Sequence, residues 1–227
     1  MPFGVDEAGK GPVFGSMFAA AVSVDEPAQL PEGIADSKRL TPARREALAA
    51  AIRKDERIRV GVTEITPARI DDPETDMNSL SVAAHAEAIA DVVAGLEGDT
   101  LETPVSGLCD ACDTDAERFA RRVSEAYDRT LEGAFAVDID ARHGADDDSP
   151  VVGAASIIAK VERDAHVAAI AEEYGDVGSG YPSDSATREF LERYVDEHGS
   201  LPPFARTSWS TCEDVLATAE QTGLEQF

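Results

Sequence analysis

The sequence predicts an α/β protein, a mixed central β-sheet flanked by helices with a small helical C-terminal extension, and three observations carry that expectation. Two apolar runs, residues 2–5 and 16–24, flank a short glycine-rich loop, the mark of an antiparallel strand pair. From residue 59 onward strand-patterned and helix-patterned segments alternate, and strands joined through helices lie parallel by right-handed crossovers. Residues 150–174 form the longest helical stretch, and the small Ala154, Ala155 and Ala159 near its start suit close packing on a sheet.

The first strand runs into Asp6-Glu7 and then Ala8-Gly9-Lys10-Gly11-Pro12. Carboxylates where a strand gives out, followed by glycines that let a ligand approach the backbone, suit a metal held beside a phosphate. An acidic strand end followed by a hairpin turn is the plainer alternative. After a proline-rich connection over 26–33, Thr41 caps a helix with Pro42 in its first turn, running to about residue 54. Asp36-Ser37-Lys38 therefore lies just ahead of a helix, where a hydroxyl and an ammonium can meet a phosphate, or else is an ordinary polar turn. Residues 59–66 alternate as a third strand, and 78–96 have helix spacing with Asn78 as a cap candidate. Residues 105–109 form a strand delivering Asp110 to its tip, 115–131 an amphipathic helix, and 134–139 another strand, followed by His143-Gly144-Ala145-Asp146-Asp147-Asp148. In the long helix, Lys160 and Asp164 also fit a solvated face with an ion pair four residues apart. Gly178-Ser179-Gly180-Tyr181-Pro182 is a rigid turn presenting Tyr181, residues 185–198 are helical, and Pro202-Pro203 break the chain before Trp209 and a last helical segment.

With 227 residues the chain is long enough for one sizeable core. Its 45 acids against 20 Lys and Arg give a net charge of −25, which fits either an acidic cytosolic protein or, better, one adapted to molar salt. At 1 M salt the Debye length is only about 3 Å, so such a surface repels itself little. Lysine is nearly absent and survives at Lys10, Lys38, Lys54 and Lys160, three of which lie in stretches singled out on other grounds. No early apolar segment is long enough for a signal peptide or a membrane span, so a cytoplasmic protein is expected. Cys109 and Cys112 match C-x-x-C, but no second pair is present to complete a zinc site, and they read as small core or strand-end residues.

Three strand-end regions carry acids: Asp6 with Glu7, Asp110, and Asp146. Converging carboxylates raise one another's pKa unless cations neutralise them, and hard oxygen ligands select magnesium or manganese. Two such ions about 4 Å apart are the arrangement for in-line phosphodiester hydrolysis.

The segments GVDEAGKGPVFG, DSKRLTPARRE, DACDTDAERF, HGADDDSPVVGAASIIAKVERD, EEYGDVGSGYPSD, TREFLERY and ARTSW run in order over nearly the whole chain, and together they resemble ribonuclease HII, the type 2 ribonuclease H, of the archaeal kind. The resemblance implies a ribonuclease H-like fold, with a catalytic domain over 1–176, a helical extension over 177–220 and a tail over 221–227. It implies metal ligands, and so catalytic residues, at Asp6, Glu7, Asp110 and Asp146, serving two divalent ions, Mn2+ or Mg2+. The family's G-[RK]-G motif falls on Gly9, Lys10 and Gly11, whose backbone would contact the 2′-hydroxyl that distinguishes RNA from DNA. Tyr181 matches the tyrosine that packs on the sugar at the RNA–DNA junction, and Ser37, Lys38, Ser156 and Lys160 match positions that hold backbone phosphates. Where the family commonly has His-Lys-Ala-Asp and a tyrosine before the proline, this chain has Gly144 and Ser149, and the choice of Asp146 over Asp147 rests on alignment to His143 and Ala145.

The implied activity is hydrolysis of the RNA strand of RNA–DNA hybrids and cutting 5′ of single ribonucleotides in duplex DNA. The end of the chain, with Gln221, Leu224 and Phe227, resembles the sliding-clamp-binding peptide Q-x-x-aliphatic-x-x-aromatic, with a frayed tail as the alternative. A monomer is expected. Two rival readings remain at this point, an acidic module that binds metal without catalysis and a related nuclease acting on DNA junctions.

Overall fold

The computed structural model describes residues 2–34, 40–94, 104–130 and 135–224. Its strands are β1 (Phe3–Ala8), β2 (Met17–Val24), β3 (Ile58–Ile65), β4 (Val105–Asp110) and β5 (Val137–Arg142). Its helices are α1 (Pro42–Lys54), α2 (Pro67–Ile70), α3 (Met77–Ala94), α4 (Ala116–Thr130), α5 (Ala145–Asp148), α6 (Pro150–Tyr174), α7 (Ser185–His198) and α8 (Ser210–Leu224). They fall into two compact units. A sheet unit comprises Met1–Ala8, Phe18–Glu64 and Met77–Glu162, and a helical unit comprises Gly9–Met17, Ile65–Asp76 and Arg163–Phe227. The division thus runs through α6 rather than at residue 176, and the glycine loop groups with the C-terminal helices.

In the sheet unit the strand order is β3-β2-β1-β4-β5. β1 pairs antiparallel with β2 and parallel with β4, which pairs parallel with β5. Every residue of β2 is buried, the continuous apolar pattern of a strand covered on both faces. A Cβ on Gly4 would lie 2.4 Å from the Val152 nitrogen, so the first turn of α6 rests directly on β1 and only glycine leaves room for it. Side chains alternate along a strand, so Gly4 and Asp6 share the face that α6 covers, while Val5 and Glu7 point to the other face. There α3 packs against β1, and α4 against α3 and β5.

On the α6 side, Ala20, Val22 and Val24 of β2 join Leu48, Ala49 and Ile52 of α1 and Val151, Ala154, Ala155 and Ile158 of α6 in one apolar cluster. Each buried Val, Leu or Ile contributes about 1.5–3 kcal/mol, and this cluster seats the start of α6 against the sheet.

The helical unit has its own core, in which Val13 and Phe14 pack with Ile170, Val177, Phe190, Leu191 and Ala205. Phe14 meets Phe204 edge-on at 5.5 Å and Phe190 at 6.3 Å. Asp184 caps α7 by accepting from the Ala186 N–H at 3.2 Å, and Gly199, with φ 70°, closes the helix at its other end.

Most element expectations hold. Thr41 caps α1, its hydroxyl accepting from the Arg44 N–H at 3.3 Å. Asn78 lies inside α3 rather than capping it, because the helix starts at Met77. β5 starts at Val137 rather than at 134 and runs three residues further than expected, since its alternation continues through exposed Asp138, Asp140 and Arg142 while Ala141 is buried. The one-turn α2 was not anticipated, although Thr66-Pro67 repeats the Thr41-Pro42 start signal. Lys160 and Asp164 do not form the solvated pair: Lys160 donates to Ser156, and Asp164 pairs with Arg163. Among the described residues no helix is long and apolar enough to cross a membrane.

Candidate active site

Parallel pairing brings the acids to one edge of the sheet unit. Val5 is the register partner of Cys109, so Asp6 and Asp110 are the next residues on adjacent strands. Asp110 is in turn the partner of Arg142 on β5, whose end leads into α5 and Asp146. Asp6 and Asp110 therefore lie toward the C-terminal ends of two parallel strands and Asp146 in the short helix that follows the third, at the edge where ligands bind in open α/β sheets.

Alternation gives the neighbouring carboxylates different supports. Asp6, on the α6 face, is 5% exposed and accepts a hydrogen bond from the Ser156 hydroxyl. The Glu7 N–H also donates to its Oδ1 at 2.8 Å. Glu7, on the α3 face, has Oε2 2.7 Å from Nε2 of His85, a fully buried residue whose ring stands edge-on to Phe119. Asp110 accepts from the Ala145 N–H at 2.8 Å, so the start of α5 is tied to the tip of β4. That tie leaves Asp146 buried, while Asp147 and Asp148 are exposed. Lys160 Nζ donates to Ser156 Oγ at 2.6 Å and stands 4.0 Å from Asp146 Oδ2.

The electrostatics of this edge are unbalanced. Burial, then the charge of Glu7, push the Asp6 carboxyl up to about 7, against the opposing Ser156 hydrogen bond and Lys160. Burial also raises Asp110, helped by Asp146 and Glu7 and resisted by the Ala145 N–H. Divalent cations would remove this penalty, and the carboxylates offer hard oxygen donors that suit magnesium or manganese. Among the described residues no three His, Cys, Asp or Glu side chains form a ready-made cage.

The helical unit carries the glycine loop. Gly9 has φ 91°, and a Cβ there would meet the Ser16 carbonyl at 3.0 Å and Arg163 Cγ at 3.2 Å. A Cβ on Gly11 would lie 3.5 Å from the ring of Tyr181, which is 39% exposed, the exposed large apolar side chain among the described residues. The Arg163 guanidinium lies 5.1 Å from the centre of that ring and also donates to the Ser179 carbonyl. The Val13 N–H bonds the Gly180 carbonyl at 2.7 Å, tying the glycine loop to the Tyr181 turn.

Beneath the loop is Arg206, wholly buried. Its Nη2 donates to the Gly9 carbonyl at 2.6 Å, Nη1 to Lys10 at 3.0 Å and Nε to Gly15 at 2.9 Å. The guanidinium also lies 5.1 Å from the Trp209 ring centre, and Asp71 accepts four hydrogen bonds from the backbone and hydroxyls of Thr207 and Ser208 next to it.

Of the residues singled out in the sequence, Asp6, Glu7, Asp110, Asp146, Ser156 and Lys160 lie together in the sheet unit, and Gly9, Lys10, Gly11 and Tyr181 in the helical unit. Ser156 is completely buried, so Lys160, with its side chain 31% exposed, is the member of that pair that offers a cation to solvent. Ser37, Lys38 and Phe227 lie outside the described residues, and Gln221 and Leu224 belong to the last turns of α8. Sequence reasoning missed His85 and Arg206. The available signals were a lone histidine in the apolar run Val82-Ala83-Ala84-His85-Ala86 and a lone arginine within the quoted ARTSW segment.

Compared with known proteins, the chain matches the family model described as Ribonuclease HII over residues 3–212. It is 57% identical over 227 residues to a Ribonuclease HII of Haloarcula marismortui, with 100% of both chains covered. Among solved structures it is similar to the ribonuclease H2 from Pyrococcus horikoshii OT3, with a TM-score of 0.84 and 32% identity over 97% of this chain and 99% of that one. It is also similar to a chain of the PCNA:RNase HII complex from Archaeoglobus fulgidus, with a TM-score of 0.80 and 34% identity over 95% of this chain and 96% of that one.

Proposed function

The chain belongs to the ribonuclease HII family, and from that membership we infer a metal-dependent endonuclease that hydrolyses the RNA strand of RNA–DNA hybrids. It also cuts duplex DNA 5′ of single ribonucleotides and leaves 3′-hydroxyl and 5′-phosphate ends. The observation that carries the chemistry is the delivery of Asp6, Asp110 and Asp146 to the edge where three parallel strands end, with burial and neighbouring charge pushing Asp6 up to about 7.

In this reading Asp6, Glu7, Asp110 and Asp146 hold two divalent ions, manganese or magnesium. Such ions lower the pKa of water and neutralise charge on phosphoryl oxygens. Asp146 rather than Asp147 is the fourth ligand, on the strength of its burial beside Lys160. His85 holds Glu7 in place, and Ser156 holds Asp6 while anchoring Lys160, whose ammonium meets a backbone phosphate. Ser37 and Lys38 serve a second phosphate. A 3′-hydroxyl product means that the 3′-oxygen leaves with water as nucleophile, so the 2′-hydroxyl is read and does not react. The reading is done by the backbone of Gly9, Lys10 and Gly11, and Tyr181 packs on the sugar of the following deoxynucleotide.

The protein works as a cytoplasmic monomer adapted to high salt. Its net charge of −25 repels a polyanion at low ionic strength, so activity should persist or rise toward about 1 M salt. Gln221, Leu224 and Phe227 bind a sliding clamp, a reading supported by the likeness to the PCNA complex chain. Removing residues 221–227 should abolish co-elution with a clamp and leave cleavage by the enzyme alone unchanged.

The deciding experiment uses a labelled DNA duplex with one ribonucleotide, beside an all-DNA control, at high salt with magnesium, manganese or chelator. One metal-dependent cut 5′ of the ribonucleotide is expected, lost in a folded Asp6→Asn variant. Equal cutting of the all-DNA duplex, or an active Asp6→Asn protein, would sink the assignment.

A further inference from the structure

We propose that Arg206 is a positioning residue for ribose recognition: by drawing the carbonyls of Gly9 and Lys10 inward, it aims the N–H groups of Lys10 and Gly11 outward at the 2′-hydroxyl. The proposal rests on the reading that this loop meets the ribose.

The argument starts from the peptide unit. The Gly9 carbonyl and the Lys10 N–H belong to one planar group, as do the Lys10 carbonyl and the Gly11 N–H. Among the described residues no peptide bond is cis, so the two ends of each group point in opposite directions. Arg206 fixes both carbonyls, at 2.6 and 3.0 Å, so it also fixes the direction of both N–H groups, which point away from the buried guanidinium. On that outer side Gly11 is exposed and the Tyr181 ring lies close to where a Gly11 Cβ would be. A third bond, from Nε to the Gly15 carbonyl at 2.9 Å, holds the far end of the loop.

The arrangement is specific to arginine. A planar fork can address three carbonyls from one rigid group, whereas an ammonium is a compact point donor on a flexible stem. A buried cation is a poor device for stability alone, because an apolar side chain of similar volume avoids the desolvation. Burial lowers the guanidinium to about 10, with Arg163 adding to the effect and Asp71 opposing it, so the group remains a cation at neutral pH. Trp209 and the Asp71 contacts to Thr207 and Ser208 hold the arginine where the loop needs it.

The test is binding by the Asp6→Asn protein, which is expected not to cut, to fluorescent duplexes with and without one ribonucleotide at high salt. The parent Asp6→Asn protein is expected to prefer the ribonucleotide duplex. Adding Arg206→Lys should cut that preference by about two- to tenfold, the worth of one hydrogen bond, and leave affinity for the all-DNA duplex unchanged. A lower melting temperature with unchanged preference would overturn the proposal, because a merely structural arginine would behave that way. Absence of preference in Asp6→Asn itself would overturn the ribose-reading role of the loop, and the proposal with it. Should Arg206→Lys not fold, Trp209→Leu removes only the ring beside the guanidinium; a reduced preference then supports the proposal and an unchanged one overturns it.

Discussion

At the acidic edge of the sheet unit, burial and neighbouring carboxylates push Asp6 up to about 7, whereas in the glycine loop of the helical unit one guanidinium satisfies three carbonyls from a fully enclosed position. The first region is held against its own electrostatics, and in the proposed function cations from solution complete it. The second is completed by the chain itself. Substitutions should therefore act in opposite ways: removing charge at the acidic edge relieves the metal-free fold and destroys chemistry, while loosening the loop degrades recognition and leaves metal binding alone.

The largest effect expected from this contrast is at Asp6. Replacing it with Asn should lower cleavage on the order of 10⁴-fold or more, the scale for removing a principal catalytic group. The same change should stabilise the metal-free protein at alkaline pH. The wild-type carboxyl titrates near 3.8 when unfolded and at about 7 when folded. Between those values the folded state holds a proton that the unfolded state has released, so stability falls as pH rises through the window and stays low above it. Asp6→Asn lacks that loss. With chelator and constant high salt, its melting temperature should exceed that of wild type by more at pH 8 than at pH 5. An equal difference at both pH values would break the claim that the acidic edge is electrostatically strained.

A smaller effect is expected where the acidic edge is mechanically supported. His85 and Glu7 are 78 positions apart in sequence and meet at 2.7 Å. Orienting partners of a metal-ligating carboxylate are typically worth 10–100-fold in metal affinity. His85→Leu should weaken manganese binding by roughly that factor in a calorimetric titration, and His85→Gln, which retains an N–H donor, should recover part of it. Wild-type affinity in both variants would leave His85 a core residue with no hold on the metal site.

The two regions also differ in how far the sequence discloses them. Thr41-Pro42, the extent of α6 and the placement of Asp110 at a strand tip rest on local signals, caps, periodicity and the end of an apolar run, and each appears in the structure. The acids came into view because three of the strand-patterned segments lead into them. His85 and Arg206 escaped because their roles depend on distant pairings: His85 on which face of β1 Glu7 occupies, Arg206 on a loop 197 positions earlier in the chain. The grouping of residues 9–17 and 65–76 with the C-terminal helices was hidden for the same reason, since it joins three separated segments. No composition shift marks those joins.

The smallest predicted effect lies at Tyr181, and it tests whether the helical unit is as finished as its hydrogen bonds suggest. Arg163 supports the exposed ring with its guanidinium 5.1 Å from the ring centre and also bonds the Ser179 carbonyl in the same turn. Arg163→Met keeps an unbranched apolar stem and removes the cation, an interaction worth about 0.5–1 kcal/mol at an exposed site. The KM for a single-ribonucleotide duplex should rise about two- to fivefold, while kcat and the manganese titration stay at wild-type values. A fall in kcat with unchanged KM would instead mean that Arg163 acts on the chemistry, and the division of labour between an acidic edge that reacts and a loop that recognises would not hold.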